Sequence, residues 1–135
     1  MAEIAYIALG SNRGDRERYL AAARAAIAAL EGTRILAASE IEETEPIGPA
    51  GQERYLNQML AIETRLEPEA LLRELHRIEL DNDRVRGVRW GERTLDLDIV
   101  RYGERRISTA DLVVPHPELP NREFWQRELA QVSGG

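Results

Sequence analysis

Thr94-Leu95-Asp96-Leu97-Asp98-Ile99-Val100-Arg101-Tyr102 decides how the rest of the chain is read. Side chains of a strand alternate between faces, so Leu95, Leu97 and Ile99 share one face and Asp96 and Asp98 the other. The two acidic α-carbons then lie about 6.6 Å apart. Working upstream, Pro68 fits the first turn of a helix whose apolar stripe is Leu71, Leu72, Leu75 and Ile78. Before it, Tyr55 to Leu66 reads as a strand with Leu56, Leu60, Ile62 and Leu66 on one face and Tyr55 and Asn57 on the other. Glu42 to Glu53 holds two prolines and two glycines and reads as a loop, and Thr33 to Ser39 as a strand. Asp15 to Leu30 is an alanine-rich helix with Asp15 as N-cap, Leu20, Ala23, Ile27 and Leu30 on one face, and Gly32 beyond its end. Ile4 to Leu9 is the first strand, followed by a loop from Gly10 to Gly14. Downstream, Gly103-Glu104 turns into a short strand near Ile107, and Glu123 to Val132 is a terminal helix. The order is β-α-β-β-α-β with additions. It predicts an α+β, ferredoxin-like sandwich: two helices on one face of an antiparallel sheet, plus a β-hairpin and a C-terminal helix, with the other sheet face left for loops and ligands. Residues 1–135 read as one domain.

The composition narrows the function. With 135 residues, 43% apolar and 31% charged, the chain is that of an ordinary globular protein. No apolar run approaches the length of a bilayer span, and Met1-Ala2-Glu3-Ile4 lacks the features of a secretory signal. The cysteine count of 0 excludes disulfides and thiolate catalysis, and cytoplasm is the expected location. A net charge of −6 argues against nucleic acid as a partner. An RNA-binding module on the same fold would also need exposed aromatics and a basic sheet face, and aromatics are only 5% here.

Two carboxylates on neighbouring positions of one strand face repel unless a cation lies between them. Magnesium favours a few carboxylates completed by phosphate oxygens and water, and a pair of ions about 4 Å apart suits such a site. A strand face that is simply wet is the other reading, although aspartate is disfavoured in strands. Just upstream, Arg84, Arg86, Arg89 and Arg93 crowd one short segment against a single acid, Glu92. Guanidinium binds phosphate bidentately and keeps its charge, so arginines beside an acidic metal site form a combination suited to phosphoryl transfer. Asp81 to Arg93, with Gly87 and Gly91, reads as a polar loop able to close over a nucleotide and exclude water. Gly10-Ser11-Asn12 lacks the lysine and spacing of a P-loop and reads as a turn.

The run Arg89-Trp90-Gly91-Glu92-Arg93-Thr94-Leu95-Asp96-Leu97-Asp98-Ile99, with Arg84 and Arg86 before it, closely resembles the signature of the hydroxymethyldihydropterin pyrophosphokinases of folate synthesis. Family-like segments occur in order from residue 4 to about 125. They include Ala8-Leu9-Gly10-Ser11-Asn12, Thr44 to Pro49, Tyr55-Leu56-Asn57, Arg77-Ile78-Glu79, Val114-Pro115-His116 and Asn121-Arg122-Glu123-Phe124. The resemblance implies transfer of diphosphate from ATP to the hydroxymethyl group of a reduced pterin, releasing AMP, and a monomer would suffice because every proposed group lies on one chain. It gives Asp96 and Asp98 two magnesium ions, and Arg84 and Arg93 the charge on the group in flight. Arg86, Trp90, His116 and Arg122 would help hold ATP, with Leu72 and the Ile99 backbone at the adenine. The pterin would lie between Tyr55 and Phe124, its polar edge read by Asn57 and by backbone at Thr44, Pro46 and Ile47. Taken singly, Tyr55 and Phe124 read as core aromatics and His116 as a turn residue. Asp111, Val113 and Pro117 depart from positions some members use near ATP, which predicts lower nucleotide affinity. A pterin- or nucleotide-binding protein without catalysis is the rival that sequence separates least well.

Overall fold

The computed structural model describes residues 2–45, 54–83 and 94–133. The elements follow as β1 (Glu3–Ser11), α1 (Arg16–Ala28), β2 (Thr33–Ala38), β3 (Glu42–Thr44), β4 (Tyr55–Thr64), α2 (Pro68–Asp81), β5 (Asp96–Tyr102), β6 (Ile107–Ser108), β7 (Val113–Val114) and α3 (Glu123–Val132). The main sheet runs β2-β4-β1-β5, every pair antiparallel, with β3 also paired to β4. This is the α+β arrangement expected.

Alternation along the strands divides the core in two. Ala5, Ile7 and Leu9 of β1, Leu60 and Ile62 of β4, and Leu97 and Ile99 of β5 face one way. They meet Leu20, Ala23 and Ile27 of α1 and Leu71, Leu75 and Ile78 of α2. A buried aliphatic side chain contributes about 1.5–3 kcal/mol, so this layer carries most of the hydrophobic stabilisation. On the opposite face Ala8, Met59, Ala61 and Val100 pack against Trp125, Leu129 and Val132 of α3.

Local chemistry fixes the ends. Gly14 takes φ 72°, left-handed backbone that favours glycine, and Asp15 then accepts a hydrogen bond from the Arg18 amide, 3.2 Å, at the start of α1. Pro68 opens α2, where its missing N–H costs no helical bond. In β5, Ile99 pairs with Ile7 and Arg101 with Tyr6, so Val100 is the surplus residue of a bulge. Beyond it Tyr102 rejoins the helix-side core.

Four expectations change. Gly10 and Ser11 are strand residues rather than loop, because β1 continues opposite Asn57 and Leu56 of β4. Glu42–Thr44, placed in a loop from sequence, is a short strand, supported by its ladder to β4 rather than by propensity. The added hairpin expected near Ile107 is present, but among the described residues its strand pairs with β7 and not with β5. The sheet face expected to be left open is partly covered by α3.

Candidate active site

Gly10 is the centre of the arrangement. In register it lies opposite Asn57 of β4 on one side and Asp96 of β5 on the other. Its neighbour on the same face, Ala8, is likewise flanked by Met59 and Asp98. The face that carries Asn57 and Tyr55 on β4 therefore also carries Asp96 and Asp98 on β5, with one side-chain-free residue between them. A Cβ on Gly10 would stand 3.4 Å from Asn57 Oδ1 and 3.4 Å from Tyr55 Cδ1, so both side chains lean over the bare backbone.

Asn57 is buried and donates from Nδ2 to the Thr44 hydroxyl, 2.6 Å. With Nδ2 on the Thr44 hydroxyl, Oδ1 is turned toward Gly10. Thr44 is placed by its pairing with Tyr55 in the β3–β4 ladder. Phe124, in the first turn of α3, is half-buried against the second core cluster, so it lies on the same side of the sheet as Tyr55.

Both aspartates are half-buried on β5 and neither points into the aliphatic layer. Asp98 Oδ1 lies 3.7 Å from His116 Nε2, too long for a direct hydrogen bond. The backbone holds His116 there: its N–H donates to the Val100 carbonyl, 2.9 Å, and its Nδ1 accepts from the Glu118 amide, 3.0 Å. The ring proton is therefore on Nε2, facing Asp98. Burial pulls the His116 pKa below its ordinary value, the Arg122 charge adds to this, and Glu118 and Asp96 oppose it. Trp125 supports the set from below. Its ring meets His116 edge-on at 4.9 Å, and the Arg122 guanidinium lies over it at 4.4 Å.

Among the described residues no group of three or more His, Cys, Asp or Glu could hold a metal ion. Two strand carboxylates fit a hard cation whose remaining ligands are phosphate and water, as magnesium prefers, and fit a zinc-type site poorly.

The structure brings Thr44, Tyr55, Asn57, Asp96, Asp98, His116, Arg122 and Phe124 to one side of the sheet. Leu72 is elsewhere, half-buried against the helix-side core, and the Ile99 side chain is buried in that core, leaving only its backbone for a ligand. Pro46, Ile47, Arg84, Arg86, Trp90 and Arg93, with the closing loop expected around them, lie outside the described residues. Sequence reasoning missed three contributors. Gly10 reads as turn, Trp125 carries no signal beyond following Phe124 on the same helix, and Glu79 stands out only as part of the segment Arg77-Ile78-Glu79. In the structure Glu79 is buried and its Oε2 accepts the Leu97 amide, 2.8 Å.

Comparison with known proteins gives a consistent set. A family model described as 7,8-dihydro-6-hydroxymethylpterin-pyrophosphokinase matches residues 6–134. The chain is 48% identical over 120 residues to the 2-amino-4-hydroxy-6-hydroxymethyldihydropteridine pyrophosphokinase of Haemophilus influenzae, covering 89% of this chain and 75% of that protein. It is 44% identical over 132 residues to the Bacillus subtilis protein of the same name, covering 98% and 79%. With the Pseudomonas aeruginosa protein of that name the identity is 41% over 133 residues, covering 98% and 82%.

Proposed function

The chain belongs to the 7,8-dihydro-6-hydroxymethylpterin-pyrophosphokinase family, and from that membership we propose that the sheet face around Gly10 is where both substrates meet. It is a pyrophosphokinase of folate biosynthesis, in a family that uses ATP. The observation that carries the site is the register of Gly10 between Asn57 and Asp96. Two strand spacings separate those residues, roughly 10 Å, which places a group suited to a ring edge one heterocycle away from a group suited to a cation.

In this reading the pterin lies over Gly10 between the faces of Tyr55 and Phe124, and Asn57 Oδ1 accepts from its edge. Thr44, Pro46 and Ile47 would complete that edge. Asp96 and Asp98 would hold two magnesium ions, which when bound neutralise the triphosphate and favour ionisation of the substrate hydroxyl. The pterin hydroxyl oxygen, releasing its proton to solvent, would bond to the β-phosphorus of ATP while the bond from that phosphorus to the α,β-bridging oxygen breaks, so AMP leaves with that oxygen. Arg84 and Arg93 would balance charge on the diphosphate in transfer. His116 would donate from Nε2 to a phosphate oxygen, with Arg122 beside it on Trp125, and Arg86 and Trp90 would hold the nucleotide. The Ile99 backbone and Leu72 would meet the adenine from the outer edge of β5, with Leu72 at the helix side of that edge.

The same reading takes the sheet order and the two helices as a ferredoxin-like βαββαβ core, with β3, the β6–β7 hairpin and α3 added. It takes residues 1–135 as one catalytic domain, in keeping with the family match over 6–134. Every proposed group is on one chain, so a monomer suffices, and the cytoplasm supplies ATP. No helix among the described residues is long and apolar enough to cross a membrane.

The test is product analysis. Protein, ATP, magnesium and 6-hydroxymethyl-7,8-dihydropterin should yield AMP and the pterin diphosphate in equal amounts. Formation of ADP, or undiminished turnover in excess chelator, would overturn the reading.

A further inference from the structure

We propose that Glu79 is a positioning residue for the acid pair, holding Asp96 and Asp98 in register from behind the strand that carries them. The inference rests on the reading of those aspartates as metal ligands. Among the described residues β5 is the edge of the main sheet and pairs within it with β1 alone, so alternate amides of β5 turn outward. Leu97 is the single residue between the two acids, and its outward N–H is taken by Glu79 Oε2 at 2.8 Å. Glu79 comes from the last turn of α2 and is only 5% exposed. Next to Leu75 and Ile78 an aliphatic residue would fill that position with no desolvation cost, so a carboxylate there needs a partner.

The peptide group that Glu79 grips joins Asp96 to Leu97. Its tilt sets the direction in which the Asp96 side chain leaves the strand, and the Leu97 backbone sets the spacing to Asp98. A bond from amide to carboxylate is about twice as strong as one between neutral groups, and so holds that tilt firmly. A second outward bond, from the His116 amide to the Val100 carbonyl, holds the same edge beyond Asp98. Glu79 reaches the edge from the helix side, whereas the acids project to the other side. It therefore acts through the backbone and not on the substrates.

The probe is Mn2+ with α,β-methylene-ATP, its binding to the full chain followed by water-proton relaxation. Wild type should bind and Asp98→Ala should not. Glu79→Met, of similar volume but without an acceptor, should weaken Mn2+ binding roughly 10- to 100-fold, the usual effect of losing an outer-shell partner. Glu79→Gln, which keeps an acceptor oxygen, should stay within about threefold of wild type. Pterin binding should be unchanged in both, because general damage to the sheet would weaken both ligands. The Leu97 amide proton should shift upfield in Glu79→Met and not in Glu79→Gln. Should Glu79→Met fail to fold, Glu79→Asp replaces it: the carboxylate stays but falls one methylene short, and the same loss is expected. Wild-type Mn2+ affinity in a folded variant that has lost the Leu97 bond overturns the role of Glu79 alone. Equal Mn2+ binding by wild type and Asp98→Ala overturns the metal assignment and the proposal with it.

Discussion

His116 turns its protonated Nε2 toward Asp98, 3.7 Å from Oδ1, because its other nitrogen is already occupied by the Glu118 amide at 3.0 Å. A neutral imidazole held in one tautomer is a fixed donor beside a carboxylate. Its titration midpoint, read by NMR, should lie below the ordinary 6.5, since burial and then the Arg122 charge disfavour the cation. His116→Ala should weaken ATP binding about tenfold, the loss of one hydrogen bond to a charged group, with pterin binding unchanged.

Asp98→Ala should abolish AMP formation while far-ultraviolet circular dichroism and the thermal midpoint stay close to wild type. Asp98 is half-exposed and contributes nothing to the aliphatic layer. A loss of fold in this variant would show that the residue is structural.

Tyr55→Ala should weaken pterin binding by roughly 5- to 150-fold, as stacking on one aromatic face contributes about 1–3 kcal/mol. ATP binding should hold. Asn57→Ala, which also releases the Thr44 hydroxyl, should reduce discrimination between the pterin and other flat rings. Fluorescence titration of each ligand separately checks both.

Gly10→Ala should move stability and binding in opposite directions. A methyl fits 3.4 Å from Asn57 Oδ1 and Tyr55 Cδ1 without a clash, and alanine in a strand is about 0.5–1 kcal/mol better than glycine. The same methyl lifts the surface on which the pterin would rest, so affinity should fall about 10- to 200-fold, the scale for one added methylene in a pocket. Denaturant unfolding and pterin titration on one sample separate the two effects.

Glu128 gives the chain a distinct pH response. It is fully buried on the sheet-facing side of α3, and burial, followed by the nearby Glu42 carboxylate, pushes its pKa up to about 9. The unfolded chain releases this proton near 4.5, whereas the folded chain retains it to about 9. Stability from this group is therefore complete below pH 4.5 and falls as pH rises toward 9. The slope is on the order of 1.4 kcal/mol per pH unit for one proton. Glu128→Gln should flatten the fall in urea midpoint between about pH 6 and pH 8 and be more stable than wild type at the upper end.

Much of this was legible because strand alternation is rigid. Leu95, Leu97 and Ile99 against Asp96 and Asp98, or Leu60 and Ile62 against Tyr55 and Asn57, are assigned to faces by counting alone. Glu42–Thr44 is hidden because its pairing is supplied by β4 and two of its three residues are glutamates, which strands disfavour. Gly10 reads as turn in the sequence because glycine signals turns, yet here its missing side chain clears a surface between two strands. The stripe Trp125, Glu128, Leu129, Val132 is plain on α3, but periodicity says which side of a helix is buried and not which sheet face receives it. Glu79 needed coordinates, since its partner is a backbone amide, which no side-chain pattern encodes.

The bulge in β5 separates two tasks that a regular ladder would tie together. Val100 has no partner on β1, and its carbonyl is the one that secures the His116 amide. The acids before it and Tyr102 after it would keep their faces if that residue were absent, because removing a surplus residue restores simple alternation. The imidazole would then lose its mooring while the carboxylates kept theirs. A fault in the sheet thus delivers the histidine, and the regular part of the same strand delivers the aspartates.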